Sequence, residues 1–202
     1  AALLAGDGVV LAVADGDLTW SAGRPITQTY VLAAPKDAQP ARGQVVLWVG
    51  DEAVNLGAVK IAPLAVETAV PDYPLATDFG GQVRLVGYDV QREEAALRLR
   101  TYWQALQPMA VDYTIFIHLL GADGDLIVQH DAQPQNGRYP TSIWDVGELV
   151  VDEVELSWPP EAAPAQIAIG LYRLDSGERL PVGGGGGETA VILSEPFAPP
   201  PD

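Results

Sequence analysis

Cysteine is absent from all 202 residues. That excludes disulfide staples, thiolate zinc sites, iron–sulfur ligation and cysteine nucleophiles. It also suits an oxidising exterior, where a stray thiol is a liability. Basic residues are scarce: 11 Lys and Arg stand against 27 Asp and Glu, giving a formal net charge of −16. Phosphate backbones and anionic lipid surfaces are bound through clustered Lys and Arg, so nucleic acid is not an expected partner. No apolar run reaches the roughly 18 to 20 residues that span a bilayer, and no signal-peptide pattern stands at the N-terminus. Methionine occurs once, at position 109. The chain closes on PFAPPPD, an extended Pro-rich stretch of the kind that links domains. Both ends are therefore expected to continue into a longer protein.

Helical periodicity is also scarce. Apolar residues come in short, often alternating stretches, broken by 21 Gly and 17 Pro, which is the pattern of strands. Candidate strands are 8–13, 26–33, 44–49, 57–62, 82–90, 95–103, 112–120, 125–130, 148–157, 166–173 and 189–195. Asp7-Gly8, Asp123-Gly124 and Asn136-Gly137 favour tight turns, because they accept positive φ cheaply. Many short strands so punctuated predict a β-sandwich.

What is present in excess is internal similarity. Shifted by 124 residues, WSAGRPITQTYVLAAPKDAQPARGQVVLWV (20–49) lies over WDVGELVVDEVELSWPPEAAPAQIAIGLYR (144–173) without a gap. Trp20 meets Trp144, Gly23 meets Gly147, and Pro35 and Pro40 meet Pro159 and Pro164. A shift of 116 sets LLAGDGVVLAV (3–13) on LLGADGDLIVQ (119–129). The eight-residue difference places an insertion inside HDAQPQNGRYPTSIW (130–144) of the second copy. We read these as repeats and the insertion as a local elaboration, the kind of loop that carries function. The expected fold is all-β: tandem immunoglobulin-like or jelly-roll-like antiparallel β-sandwich repeats, the first truncated. Residues 1–70 are expected to be the back half of a sandwich and 71–81 a linker. Residues 82–197 are a complete repeat and 198–202 a Pro-rich tail.

Alternation assigns the faces. Leu97, Leu99, Thr101 and Trp103 share one face and are expected inside, with Arg98, Arg100 and Tyr102 outside. Likewise Tyr113, Ile115, Ile117 and Leu119 turn in while Thr114, Phe116 and His118 turn out; Ile167, Ile169 and Leu171 turn in while Gly170 and Tyr172 turn out. If Gly121 to Gly124 close a hairpin, Leu119 pairs with Leu126, Ile117 with Val128, His118 with Ile127 and Phe116 with Gln129. The outer face then offers Tyr102, Phe116, His118, Gln129 and Tyr172 as candidate ligand contacts. Rings beside hydrogen-bonding groups can stack on a sugar and take its hydroxyls. The same face could instead pack on the other repeat or on a domain of the parent protein. Arg138 and Tyr139, in the elaborated loop, are further candidate contacts.

No catalytic motif is found. GxSxG, HExxH and GxxxxGK[ST] are absent, and the glycines at 183–187 have no helix start behind them to hold an anion. His130 and Asp131 are adjacent on a strand and point to opposite faces, so they do not make a base and its orienter; His130 is expected to turn inward beside Ile115. Asp123 and Asp125 fall short of the six to eight oxygens of a Ca²⁺ site. No catalytic residue, metal or cofactor is expected. Trp144, present in both copies, reads as a plug at the core edge.

The blocks FGGQVRLVGYDV, LRLRTYW, DYTIFIHLLGADGDLIVQHDAQP, RYPTSIWDVGELVVDEVEL and GLYRLDSGERLPV resemble a known arrangement. It is the extracytoplasmic β-sandwich region of bacterial, Chloroflexi-type membrane glycosyltransferases of the polyprenyl-phosphate-sugar-dependent, mannosyltransferase-like family. The resemblance covers about residues 79 to 195. The hairpin is also similar to the O-antigen-binding sandwich of some polysaccharide ABC-transporter ATPases. What the first resemblance implies is a non-enzymatic, extracytoplasmic accessory module of a membrane-anchored or exported protein, because the transferase chemistry belongs to the membrane part. Two functional readings follow. One is binding of a glycan or cell-envelope polysaccharide; the other is a structural spacer or docking module with no small-molecule ligand. Other domains of the parent protein are expected partners, as is a second copy through the truncated repeat.

Overall fold

The computed structural model describes residues 2–4, 10–14, 16, 29–33, 35, 38, 40–62, 70–93, 95–183 and 187–194. The chain divides into two units, Ala1–Ala65 and Val66–Asp202. Both are built from antiparallel strands, and the described residues contain no α-helix.

In the first unit, β1 (Ala2–Leu4), β2 (Val10–Val13), β3 (Ala41–Val49) and β4 (Glu52–Ile61) form one sheet in the order β2-β1-β3-β4. Ala41 and Ile61 pair across β3 and β4 and anchor a small apolar cluster with Leu32, Ala38 and Val45. The ladder breaks register at Val45/Val46, opposite Gly57. Gly57 there has φ +129°, and its N–H donates to the Asn55 side chain at 2.9 Å. This is a bulge, which a residue without Cβ accommodates. β4 is the last strand of its sheet and is exposed over most of its length. The expected strand at 26–33 is not formed over 29–33, which are irregular; its remaining residues lie outside the described ones.

The second unit is a two-layer sandwich. β5 (Tyr73–Phe79), β6 (Val83–Arg92), β7 (Ala96–Ala105) and β10 (Leu149–Ser157) make a sheet in the order β10-β7-β6-β5. β8 (Tyr113–Leu120), β9 (Leu126–Ala132), β11 (Gln166–Arg173) and β12 (Val191–Ser194) make the other, in the order β12-β11-β8-β9. Strict alternation drives the layering. Leu97, Leu99 and Trp103 of β7 meet Ile115, Ile117 and Leu119 of β8 and Ile167, Ile169 and Leu171 of β11 in one core. Each such side chain contributes about 1.5 to 3 kcal/mol by leaving water. Thr101, also inside, accepts the Trp103 indole N–H at 2.8 Å and donates to the Asp152 carbonyl, so its hydroxyl is satisfied.

Two expectations change. The segment 71–81, expected to be a linker, contains strand β5, paired along β6. Its Pro74 sits on the outermost strand, beside a register break, where a missing N–H costs no ladder bond. The β8–β9 hairpin also differs: Leu119 pairs with Val128, Ile117 with His130, His118 with Gln129 and Phe116 with Asp131. A bulge between Leu119 and Leu120 adds a residue, and Gly121 N–H closes the turn on the Asp125 carbonyl. That moves β9 by two residues from the expected register. Because the slip is even, the faces from Val128 onward stay as expected, and His130 still shares the inward side, opposite Ile117 rather than Ile115. At the bulge they reverse, with Leu126 opposite Leu120 and exposed while Ile127 packs on the core.

The β1–β2 hairpin pairs Ala2 with Val13, Leu3 with Ala12 and Leu4 with Val10, with a register break at Leu3/Leu4. Adding 116 to each number reproduces three pairs of β8–β9 and their break. Trp20, which the internal alignment sets on Trp144, lies outside the described residues.

Candidate functional site

The outward face of β9-β8-β11 is laid down by cross-strand pairing. Gly170, Phe116 and Asp131 form one row; Ala168, His118 and Gln129 form the next; Tyr172 faces Thr114. Phe116, His118, Gln129 and Tyr172 are thus brought together on one face. Phe116 is only 1% exposed. Its ring lies over Gly170, where any Cβ would overlap it, and the Arg179 guanidinium caps it at 4.4 Å from the centroid. Tyr172 and His118 flank it, with centroids at 6.3 and 4.9 Å. A cation over a ring face is a stabilising contact, but it takes the surface on which a sugar would stack. The hydrophilic remainder is half-exposed: His118 Nε2 lies 3.1 Å from Asp131 Oδ1, and Gln129 is exposed beside them. Burial raises the Tyr172 hydroxyl above its ordinary pKa, and the Asp131 charge adds to the effect.

Tyr102 is not on this face. It belongs to β7 of the other sheet, points outward there, and is 1% exposed. Its hydroxyl donates to Asp89 Oδ2 at 2.6 Å, and burial raises its pKa. The expectation of one surface shared by all five residues required β7 to neighbour β8 in a sheet. The sandwich instead sends the two strands to opposite layers.

The segment 130–144 is stitched into the fold. Two single turns of 3₁₀ helix, Pro134–Gly137 and Thr141–Ile143, carry it across. Gln135 and Asn136 hold left-handed backbone, at φ 53° and 56°, a conformation costly to residues with a Cβ. The brace is Asp152 of β10, whose Oδ1 accepts the Gln135 N–H at 2.7 Å, while Gln135 Nε2 donates to the Val151 carbonyl. Asp152 is buried on the inward side of β10. Burial raises its pKa, and the Gln135 N–H and the charge of His130 oppose that rise.

Tyr139, expected to meet a partner, is 1% exposed and belongs to the core. Its hydroxyl donates to Glu148 Oε1 at 2.5 Å and its carbonyl accepts the Trp144 indole N–H. Thr141, fully buried, accepts from Tyr113 N–H and donates to the Val111 carbonyl. Only Arg138 of the two expected contacts is exposed, its Nε donating to the Gln135 carbonyl at 3.3 Å. The residues missed from sequence are Asp131, Arg179, Glu148 and Asp152, each the partner of a residue that was singled out or of its neighbour. Only the bulged register would have shown Asp131 beside His118; Arg179 bridges Tyr172 across the turn after β11, and Glu148 stands nine residues beyond Tyr139, at the entry to β10.

Among the described residues no group of three or more His, Asp or Glu is arranged to hold a metal ion, and no helix is long and apolar enough to cross a membrane. Comparison with known proteins finds no matching family model, curated protein or solved structure.

Proposed function

We propose that the chain is a non-catalytic accessory module of a larger exported or membrane-anchored protein, with a structural, docking role. The observation that carries this reading is the burial of Tyr102, Phe116 and Tyr139 under neighbouring side chains. The aromatic side chains that could have formed a sugar-stacking platform are spent on the fold's own packing. The elaborated loop is likewise closed on itself by hydrogen bonds rather than open to a ligand. An extracytoplasmic location is supported by the cysteine-free sequence and by the resemblance to membrane glycosyltransferase sandwiches. We further read the two units as tandem copies of one sandwich, supported by their common four-strand order and by the β1–β2 pairs that recur in β8–β9.

Protease treatment of intact cells expressing the tagged parent protein tests the location. Cleavage of the tag while a cytoplasmic marker stays whole is the expected result. Protection of both until the cells are lysed overturns the reading.

A further inference from the structure

The outward face of the β10-β7-β6-β5 sheet carries a run of alternating charge. Glu155 pairs with Arg98 at 3.3 Å, Arg98 approaches Glu153 at 3.7 Å, and Glu153 takes both Nε and Nη2 of Arg100 at 3.1 and 2.8 Å. Arg100 in turn stands 4.0 Å from Asp89. Asp89 is fixed from two further sides, by the Asp72 N–H at 2.7 Å and by the buried Tyr102 hydroxyl. Between these groups lies a depression of about 170 Å³, lined by Asp72, Asp89, Gln91, Arg98, Arg100 and Glu153.

We propose that this depression is a binding site for a single neutral polyhydroxylated ring, a hexose or its glycoside. The assignment goes beyond the accessory role proposed above and can fail without it. Three features carry it. The first is composition: of the three lining carboxylates, Asp89 and Glu153 are already paired with the two guanidiniums, so a charged ligand that engages these groups must break a pair to make one. A hydroxyl both donates and accepts, so it can join a carboxylate lone pair and a guanidinium N–H without separating them, through charge-assisted bonds. The second is support: Tyr102 and Asp72 hold Asp89, and Glu153 holds Arg100, so the recognising groups stand in place before the ligand arrives. Ion pairs this exposed contribute only about 0 to 1 kcal/mol each to folding, so stability does not account for the whole array. The third is size, since the volume falls below the roughly 300 to 1,000 Å³ of pockets that enclose drug-sized ligands. With no exposed ring in the lining, recognition runs through the hydroxyl edge of the sugar and not through stacking.

Saturation-transfer NMR on the full chain tests this. Probes are glucose, galactose, mannose and N-acetylglucosamine as neutral sugars, glucuronate as the anionic one, and the methyl glycoside of any sugar that binds. Saturable binding of at least one neutral sugar is expected. Arg100→Gln or Asp89→Asn should weaken it about tenfold or more, the loss of one charge-assisted hydrogen bond. Should Asp89→Asn fail to fold, Gln91→Ala on the exposed lip serves in its place. Ile192→Ala, exposed on β12 of the opposite sheet, should leave binding unchanged. Equal binding of the methyl glycoside assigns a glycan end and its loss assigns the free sugar; either supports the site. No binding of any neutral sugar at about 50 mM, tighter binding of glucuronate, or unchanged binding in both lining variants overturns it.

Discussion

The indole N–H of Trp144 donates to the backbone carbonyl of Tyr139 at 2.9 Å, with both side chains in the core. The six residues 139–144 of the elaborated loop are thereby closed into the sandwich. Trp144→Phe keeps an apolar ring and removes the donor, leaving a buried carbonyl unsatisfied at a cost of about 1 to 3 kcal/mol. Tyr139→Phe removes the hydroxyl bond to Glu148 and should cost a similar amount. Urea denaturation of each variant measures the loss; a midpoint equal to wild type in both would mean the loop is not part of the cooperative unit.

A pH dependence follows from Asp152. Its folded pKa is raised by burial, so its contribution to stability is full below the unfolded carboxylate pKa and is lost as pH rises through the folded value. Asp152→Asn mimics the protonated form and still accepts from Gln135. The variant should melt a few degrees above wild type at neutral pH, and the difference should shrink toward pH 4. Asp78 behaves oppositely: the Arg84 guanidinium lowers its pKa, so its contribution is lost on acidification, but the pair is about one-third exposed and its effect is screened. Thermal melts at the two pH values, wild type against variant, check the sign.

Asn136 stands in left-handed backbone and is exposed. Asn136→Gly relieves the conformational cost and should leave stability unchanged or slightly higher. Asn136→Val places a β-branched residue there and should cost about 1 to 2 kcal/mol. Chemical denaturation of the two variants side by side gives the order; Val at or above Gly would contradict the geometry.

Much of the second unit was readable because its strands alternate so regularly. The inward set Leu97, Leu99, Trp103, Ile115, Ile117, Leu119, Ile167, Ile169 and Leu171 is the set the period-2 rule selects. Which outward residues share a surface was not readable, because Tyr102 and Phe116 follow the same rule in strands that belong to different layers. β5 was hidden by Pro74, whose missing N–H matters only where a neighbour needs it. Tyr139 looked like a loop-tip aromatic, and nothing in RYPTSIW announces that the chain turns inward through two 3₁₀ turns to bury it.

Gly170 gives a prediction about packing. Its absent Cβ leaves room for the Phe116 ring and the Thr189 carbonyl. Gly170→Ala should destabilise by about 1 to 3 kcal/mol through overpacking. Adding Phe116→Leu should cost less on this background than alone, since the smaller side chain relieves the overlap. A double-mutant cycle reads the coupling, and strict additivity would show that the ring and the backbone do not compete for space.

The bulge at Asn55–Gly57 bends the outermost strand of the first unit in the middle. A straight ribbon with Val54, Leu56 and Val59 open to water would offer a template on which further molecules could stack without limit. The kink interrupts that template after a few residues on either side, the device by which bulges blunt an apolar edge against edge-to-edge pairing.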